Sequence, residues 1–459
     1  MLNFAEYYAA SSVLPMRANN YVVDQLIDWT NVPNDPIFQL TFPQPGMLHP
    51  EDLKMYTDAY EKGVSRPKLR DIAELIRNKM NPHPAGQKQL NVPFDESVSE
   101  LNVNSMYAPD NDEDAGELQG MQHKYRETVL FFPKEGQFCH AYCTYCFRWA
   151  QFTNVGSEQQ FASGDGEMLH NYLAKSKQVN DILFTGGDPM VMQAKTIAKY
   201  IDPLLQSNEV DHLQTIRIGT KSLAYWPYRY VCDPDAAEML KLFERIVQSG
   251  RHVSIMAHFT HPRELSTPVV QEAIRLIRST GANIRTQAPL IANVNDNSET
   301  WATMWRNQVR LGMVPYYMFV ERDTGARHYF EVPLHRALNI YQGAFQAQSG
   351  LARTVRGPSM SATPGKVHVV GKAEMNGEQV FALKFLQARN PDWQDKLWFA
   401  KYDESAVWLD DLKPAFGESQ FFWEKEMDNF GDAKGSSGQL HTDTVVDYEN
   451  MVIPTAQFM

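Results

Sequence analysis

Cys139, Cys143 and Cys146 fall within eight residues, in the run Cys139-His-Ala-Tyr-Cys143-Thr-Tyr-Cys146-Phe-Arg148. Three thiolates at spacings of four and three residues can converge on one metal centre from a single loop. A structural zinc site takes four ligands, normally arriving in two pairs. No second pair is present here, because Cys232 stands far off in an ordinary stretch. Three thiolates suit an iron–sulfur cubane that keeps one position for a non-protein ligand. A zinc loop completed by His140, or three inert thiols, are the bland alternatives. Cys232 is expected to be a buried structural thiol. Four cysteines so unevenly placed exclude a disulfide framework.

These thiols need a scaffold, and the chain supplies a rhythm. Short apolar, β-branched runs appear at 127–132, 181–186, 215–220, 253–258, 283–288 and 315–320. Amphipathic helical stretches, including 236–249 and 268–280, lie between them. Six β–α units of this kind predict an α/β fold with a parallel sheet and outer helices. Periodicity alone allows an open doubly wound sheet or a partial (β/α)6 barrel. The cysteine run follows the first strand.

Around this centre the chain divides into an N-terminal helical region (1–118), the β–α region (119–348) and a mostly β C-terminal extension (349–459). Segment 51–79 has helical periodicity broken by Gly63 and Pro67, and 102–118 reads as an acidic loop. Strands are expected at 366–371, 378–385 and 396–402, before an acidic, aromatic tail with Gly-Ser punctuation at 435–438. Trp393, Trp398, Trp408 and Trp423 are expected to pack on the barrel or on another subunit, not to form a ligand cage.

Of the 459 residues, 43% are hydrophobic, which excludes global disorder. The formal charge of −12 argues against nucleic acid as a partner. No apolar run approaches the ~20 residues that cross a bilayer. The N-terminus carries Glu6 and lacks a basic n-region, so it does not read as a secretory signal. A cytoplasmic protein without a membrane partner is expected.

The spacing C-x3-C-x2-C, with an aromatic before the last cysteine, resembles the radical SAM signature. The chain is similar to the lysine 2,3-aminomutase group of radical SAM enzymes from about residue 120 to about 370. The patches that carry the likeness are HKYRETVLF (123–131), TGGDP (185–189), RIGT (217–220), HFTHPRE (258–264), TQAPLIANVND (286–296) and PYYMFV (315–320). The resemblance implies a partial, TIM-like radical SAM barrel. It also implies a [4Fe-4S] cluster on Cys139, Cys143 and Cys146, whose open iron chelates S-adenosylmethionine. Gly186, Gly187 and Asp188 look like the family's cofactor patch: glycines allow close backbone approach, and the carboxylate can accept from an ammonium. Gln287 matches a glutamine near that cofactor, while His258 and His261 are expected to lie behind it or to be structural.

Enzymes of this group also hold pyridoxal phosphate (PLP) on a lysine. The matching residue is Lys366, in Pro358-Ser-Met-Ser-Ala-Thr-Pro364-Gly365-Lys366, a loop expected to precede a strand and longer than the family's polyglycine run. Lys372 is the substitute candidate. Lys124 and Tyr125 match a basic-aromatic pair beside the PLP, with Lys in place of Arg; a second family Arg appears here as Thr128.

Arg148 matches the arginine that binds the substrate α-carboxylate, a role suited to a bidentate donor. Two family aspartates that grip a lysine ammonium are not clearly retained. Arg322 falls at one position, with Asp323 next to it, and Arg356 falls at the other. Guanidiniums in place of carboxylates repel an ammonium and favour an anionic side chain. The expected substrate is thus a small amino acid other than free lysine, such as glutamate or aspartate.

The family's zinc-binding C-terminal cysteines have no counterpart after Cys232, so no zinc is expected. The resemblance implies amino migration from Cα to Cβ after hydrogen abstraction by a 5′-deoxyadenosyl radical. It further implies a one-electron donor such as flavodoxin or ferredoxin, and a homo-oligomer. Two alternatives stand: a PLP-free radical SAM enzyme on this scaffold, and a non-catalytic iron–sulfur electron-transfer module.

Overall fold

A computed structural model describes residues 3–80, 120–153 and 161–431. Eleven strands form one sheet whose spatial order follows the chain. They are β1 (Met121–Tyr125), β2 (Thr128–Phe131), β3 (Asp181–Phe184), β4 (Thr215–Thr220), β5 (His252–His258), β6 (Asn283–Leu290), β7 (Val314–Val320), β8 (Arg356–Ser361), β9 (Gly365–Met375), β10 (Glu378–Ala388) and β11 (Leu397–Lys401). Strands β2 to β8 are parallel; β1 with β2, and β8 through β11, are antiparallel. A doubly wound sheet reverses its strand order at a switch point. The unbroken order here removes that alternative and leaves the partial barrel.

The outer helices form where the sequence signals them. In helix Pro268–Ser279, Thr267 caps the start by accepting from the Val270 N–H, and Pro268 occupies the first turn. Val270, Ala273, Ile274 and Ile277 recur at helical spacing and are all buried. They join Ile182, Phe184, Ile216, Ile218, Val253 and Ile255 from the outward faces of β3, β4 and β5 in one core. The opposite faces of those strands carry Asp181, Arg217 and His258, the first two joined by an ion pair. An apolar outer face packed on helices thus leaves polar side chains for the barrel interior.

The N-terminal region packs helix Phe4–Val13 against helices Pro50–Glu61 and Arg66–Lys79. The break in segment 51–79 lies at Lys62–Ser65, where Gly63 adopts φ +71°. Pro67 does not break the helix but sits in the first turn of the second one, where its missing N–H costs nothing. The expected acidic loop at 102–118 and the Gly-Ser stretch at 435–438 lie outside the described residues.

The C-terminal strands extend the barrel sheet directly. Trp393, Trp398, Trp408 and Trp423 share a second apolar core with Val367, Phe381, Leu383 and Phe385, and with Leu334 and Leu338 of helix Leu334–Gln346. The indoles therefore pack within the chain. Two strands were not expected from sequence, β1 and β8, and Cys232 is exposed instead of buried. It caps the C-terminus of the single-turn helix Tyr228–Val231, where the chain turns outward. Among the described residues, no helix is long and apolar enough to cross a membrane.

Candidate cluster and cofactor site

The cysteine loop leaves the end of β2 and is clamped by the N-terminal region. Tyr142 donates its N–H to the Arg17 carbonyl at 2.8 Å. Thr144 donates its N–H to the Leu40 carbonyl and its hydroxyl to that of Gln39. Burial pushes all three thiols up, Cys146 to about 12, and repulsion from their neighbours adds to this at Cys139 and Cys146. Only a strongly cationic centre deprotonates three such thiols together. Among the described residues, no three His, Cys, Asp or Glu side chains close on a single ion. The thiols act on one another electrostatically, and three clustered thiolates without a second pair are a donor set that fits an iron–sulfur centre.

The glycines of the GGD patch have a specific reason to be glycine. A Cβ on Gly187 would stand 2.5 Å from the Phe138 nitrogen and 2.6 Å from the Gln137 carbonyl carbon. Gly186 has φ +151°, and its Cβ would meet the Gln137 side chain. The strand end therefore runs directly under the cysteine loop, and the Asp188 N–H donates to the carbonyls of Gly136 and Phe138. The Asp188 carboxylate accepts from Thr220 Oγ1 at 2.6 Å, from Met190 N–H and from Lys221 N–H. Burial raises it to about 6. Asp188 thus ties the ends of β3 and β4 to the cluster loop.

Gln287 and His258 meet across β6 and β5, with the amide donating to imidazole Nε2 at 2.7 Å. Burial holds His258 neutral, pulling it down to about 3, which lets the ring nitrogen accept. His261 instead caps a short helical turn, accepting from the Arg263 N–H.

Lys366 lies near the start of β9, where the strand expected at 366–371 begins. The expected long loop is strand β8 followed by a tight turn, with Ser361 opposite Lys366 in register. Lys366 Nζ donates to Gln387 Oε1 at 2.6 Å, and lies 4.8 Å from the Tyr317 ring centre and 5.4 Å from that of Tyr125. Burial, reinforced by Arg217 and Arg356, pulls its amine down to about 7. A lysine that is neutral near pH 7 is the form that condenses with an aldehyde. Lys124, buried well below its ordinary range, has its Nζ 3.4 Å from Ser361 Oγ and feels the cations Arg322, Arg389 and Lys366. Among the described residues, the hydroxyls of Tyr125 and Ser359 are buried without a hydrogen-bond partner. Buried hydroxyls and nearby cations around a condensable amine fit PLP, whose phosphate takes this class of donor. Lys372, in contrast, reaches the Tyr402 ring away from this set.

Arg148 stacks 4.2 Å over the Phe132 ring, and burial lowers it to about 10. Phe147 has two guanidiniums near its ring, Arg148 at 5.7 Å and Arg322 at 4.8 Å from the centre. Arg356 is not in this pair: it lies over Tyr316 and Tyr317, close to Lys366. Asp323 follows Arg322 and acts on it electrostatically.

Sequence reasoning missed Glu321, Gln387 and Arg389. Glu321 stands just past the C-terminal end of β7, where barrel sites are built, and that position was the available signal. Burial raises it to about 8. Gln387 and Arg389 come from β10 and the residue after it, and only the hairpin brings them to Lys366 and Lys124.

No family model matches the chain. It is 30% identical over 322 residues to a protein of Aquifex aeolicus (strain VF5) named "Putative L-lysine 2,3-aminomutase", covering 70% of this chain and 82% of that one. It is 26% identical over 316 residues to L-lysine 2,3-aminomutase of Fusobacterium nucleatum, covering 66% and 69%. A radical SAM methyltransferase structure from Sphaerobacter thermophilus matches with 14% identity and a TM-score of 0.35, over 66% of this chain and 93% of that one. A likeness that slight carries no argument; the fold rests on the sheet itself.

Proposed function

The chain belongs to the lysine 2,3-aminomutase-like family of radical SAM enzymes, and from that premise we propose that it is a PLP-dependent 2,3-aminomutase for an amino acid with an anionic side chain. The observation that carries the PLP part is the Lys366 amine, held at 2.6 Å by Gln387 between two tyrosine rings and lowered to about 7. When bound, the cluster and S-adenosylmethionine supply a hydrogen-abstracting radical, and PLP supplies an electron sink for the migrating nitrogen.

The chain's own residues bind, orient and exclude water. Cys139, Cys143 and Cys146 hold the cluster. Lys366 would anchor PLP, and Lys124 and Ser361, 3.4 Å apart nearby, would be the donors available to its phosphate. Arg148 binds the α-carboxylate of the substrate with its planar fork, and the rings of Phe132 and Phe147 keep that fork in one plane. By holding the α-carboxylate, Arg148 would orient the substrate, and such fixed orientation is a main way a protein lowers the barrier of a step.

The anionic side chain follows from charge. The guanidiniums of Arg148 and Arg322 lie near one another around Phe147, while the amines of Lys124 and Lys366 are both lowered by burial and add less charge near pH 7. Glu321, raised to about 8, is protonated at pH 7 and neutralises none of them. Arg217 is already matched by Asp181. Asp323 offsets part of the Arg322 charge, a phosphate and one α-carboxylate would offset more, and a second substrate carboxylate would add to that near Arg148 and Arg322. A lysine ammonium there would add repulsion of several kcal/mol.

Anaerobically reconstituted protein, given S-adenosylmethionine, a reductant and PLP, tests this with glutamate, aspartate and lysine in parallel. Formation of a β-amino isomer from an acidic substrate is expected. Turnover of lysine alone refutes the anionic reading. A protein that takes up no PLP yet cleaves S-adenosylmethionine favours the PLP-free alternative.

A further inference from the structure

Tyr225 is 1% exposed, and among the described residues its hydroxyl has one hydrogen-bond partner, the sulfur of Cys143 at 3.8 Å. A phenol buried this completely normally finds an oxygen or nitrogen partner, and leaving it unpaired costs about 1–3 kcal/mol. Phenylalanine would fill the same space without that cost. With Cys143 as a thiol, its S–H donates to the phenol oxygen; a metal-bound thiolate has no proton and can only accept, so the phenol O–H then becomes the donor.

The geometry is built, not incidental. Tyr225 ends the short helix Ser222–Tyr225, which follows β4. Asn19 donates its amide to the Tyr225 carbonyl at 2.9 Å and to the His140 carbonyl at 3.2 Å, joining that helix to the cysteine loop. The next residue, Trp226, stacks on His140 with an interplanar angle of 12°. Behind the phenol, Lys221 Nζ lies 4.5 Å from the ring centre. Glu264 pairs with that ammonium at 2.8 Å, so the pair brings no net charge. The O–H dipole is then the polar feature that Tyr225 itself presents to the ligand.

We propose that Tyr225 is a positioning residue that donates a hydrogen bond to the Cys143 thiolate and raises the reduction potential of the cluster. This rests on the reading that Cys139, Cys143 and Cys146 hold a [4Fe-4S] cluster. Reduction adds one electron from an external one-electron donor to the cluster, with no bond broken and no proton moved. Negative charge on the sulfurs increases, so a donor at Cys143 stabilises the reduced form more than the oxidised one.

The test is a potentiometric titration of the anaerobically reconstituted full-length protein, followed by the EPR signal of the reduced cluster. In Tyr225→Phe, iron content per chain is expected to match wild type. The ratio of reduced to oxidised cluster at a fixed poise is expected to fall several-fold; tenfold corresponds to 59 mV for one electron. Replacing Tyr225 by 3-fluorotyrosine, a stronger donor of nearly the same shape, should move the ratio the opposite way and does not depend on the Phe variant assembling. Tyr200→Phe, which removes a hydroxyl bonded to Glu135, should change nothing. A wild-type potential that neither substitution at 225 moves overturns the assignment. A wild-type chain that takes up no iron and sulfide overturns the cluster reading itself.

Discussion

Lys366 and Gln387 are register partners across the β9–β10 hairpin, and their side chains join at 2.6 Å. The ladder is irregular between Phe385 and Gln387. Such an irregularity re-aims a side chain, here toward the barrel. The amide oxygen accepts from the amine and fixes its direction without adding charge, so the amine can still titrate near neutrality.

Gln387→Leu should therefore weaken PLP retention without unfolding the chain. Loss of one hydrogen bond of about 1 kcal/mol corresponds to about a fivefold drop in PLP affinity. Equilibrium dialysis measures it. Lys366→Ala should abolish the lysine-bound spectrum outright, and unchanged PLP uptake in that variant would remove Lys366 from its proposed role.

The pH dependence of PLP capture has a definite sign. The neutral amine reacts, and Lys366 in the folded chain loses its proton at about 7. Capture should rise with pH up to about 7 and then level off. An ordinary lysine, near 10.4, would keep gaining about tenfold per unit well beyond that. Stopped-flow absorbance across this range separates the two profiles.

The parallel strands and the cysteine loop were legible because each is a local signal. β-branched runs recur with amphipathic helices between them, and three thiols need only one loop. Lys366 was legible by its motif and by the strand expected at 366–371, but not by its cross-strand neighbours. Its position opposite Ser361 and Gln387 follows from a hairpin whose first strand begins with Arg-Gly-Pro, which reads as a turn. Cys232 misled for a related reason: its type suggests burial, whereas its place at a helix end decides exposure. The pairing of Arg148 with Arg322 around Phe147 joins segments more than 170 positions apart, which no periodicity shows.

The cysteines should separate cleanly. Serine at 139, 143 or 146 removes one of three ligands and should reduce iron bound per chain severely. Cys232→Ser, on the exposed helix cap, should leave iron content at the wild-type level. Iron and sulfide assays on the four variants decide this, and iron lost only in Cys232→Ser would invert the assignment.

Arg322→Gln tests the charge argument around Phe147. It removes one cation while Arg148, 5.7 Å from the Phe147 ring centre, keeps its place. Binding of an acidic amino acid should weaken by about 1.5–3 kcal/mol, the range for a hydrogen bond to a charged group. A neutral amino acid should be affected far less. Calorimetric titration of both ligands gives the ratio, and equal weakening of the two would show that Arg322 does not face the side chain.

Gly187 offers the strictest steric test, because its neighbours are backbone and cannot rotate away. A methyl group there meets the Phe138 nitrogen at 2.5 Å and the Gln137 carbonyl carbon at 2.6 Å, well inside contact distance. Either β3's end or the cysteine loop must move. The loop is also tied down by the two hydrogen bonds from the Asp188 N–H, so displacing it breaks those bonds as well. Gly187→Ala should cost several kcal/mol, at or beyond the 1–3 kcal/mol typical of overpacking. It should also cut the iron retained per chain even where the protein remains folded by circular dichroism. Gly371→Ala is the matched control, since a Cβ there meets nothing within 4 Å. Normal iron retention in Gly187→Ala would mean that the GGD patch does not set the position of the cluster loop.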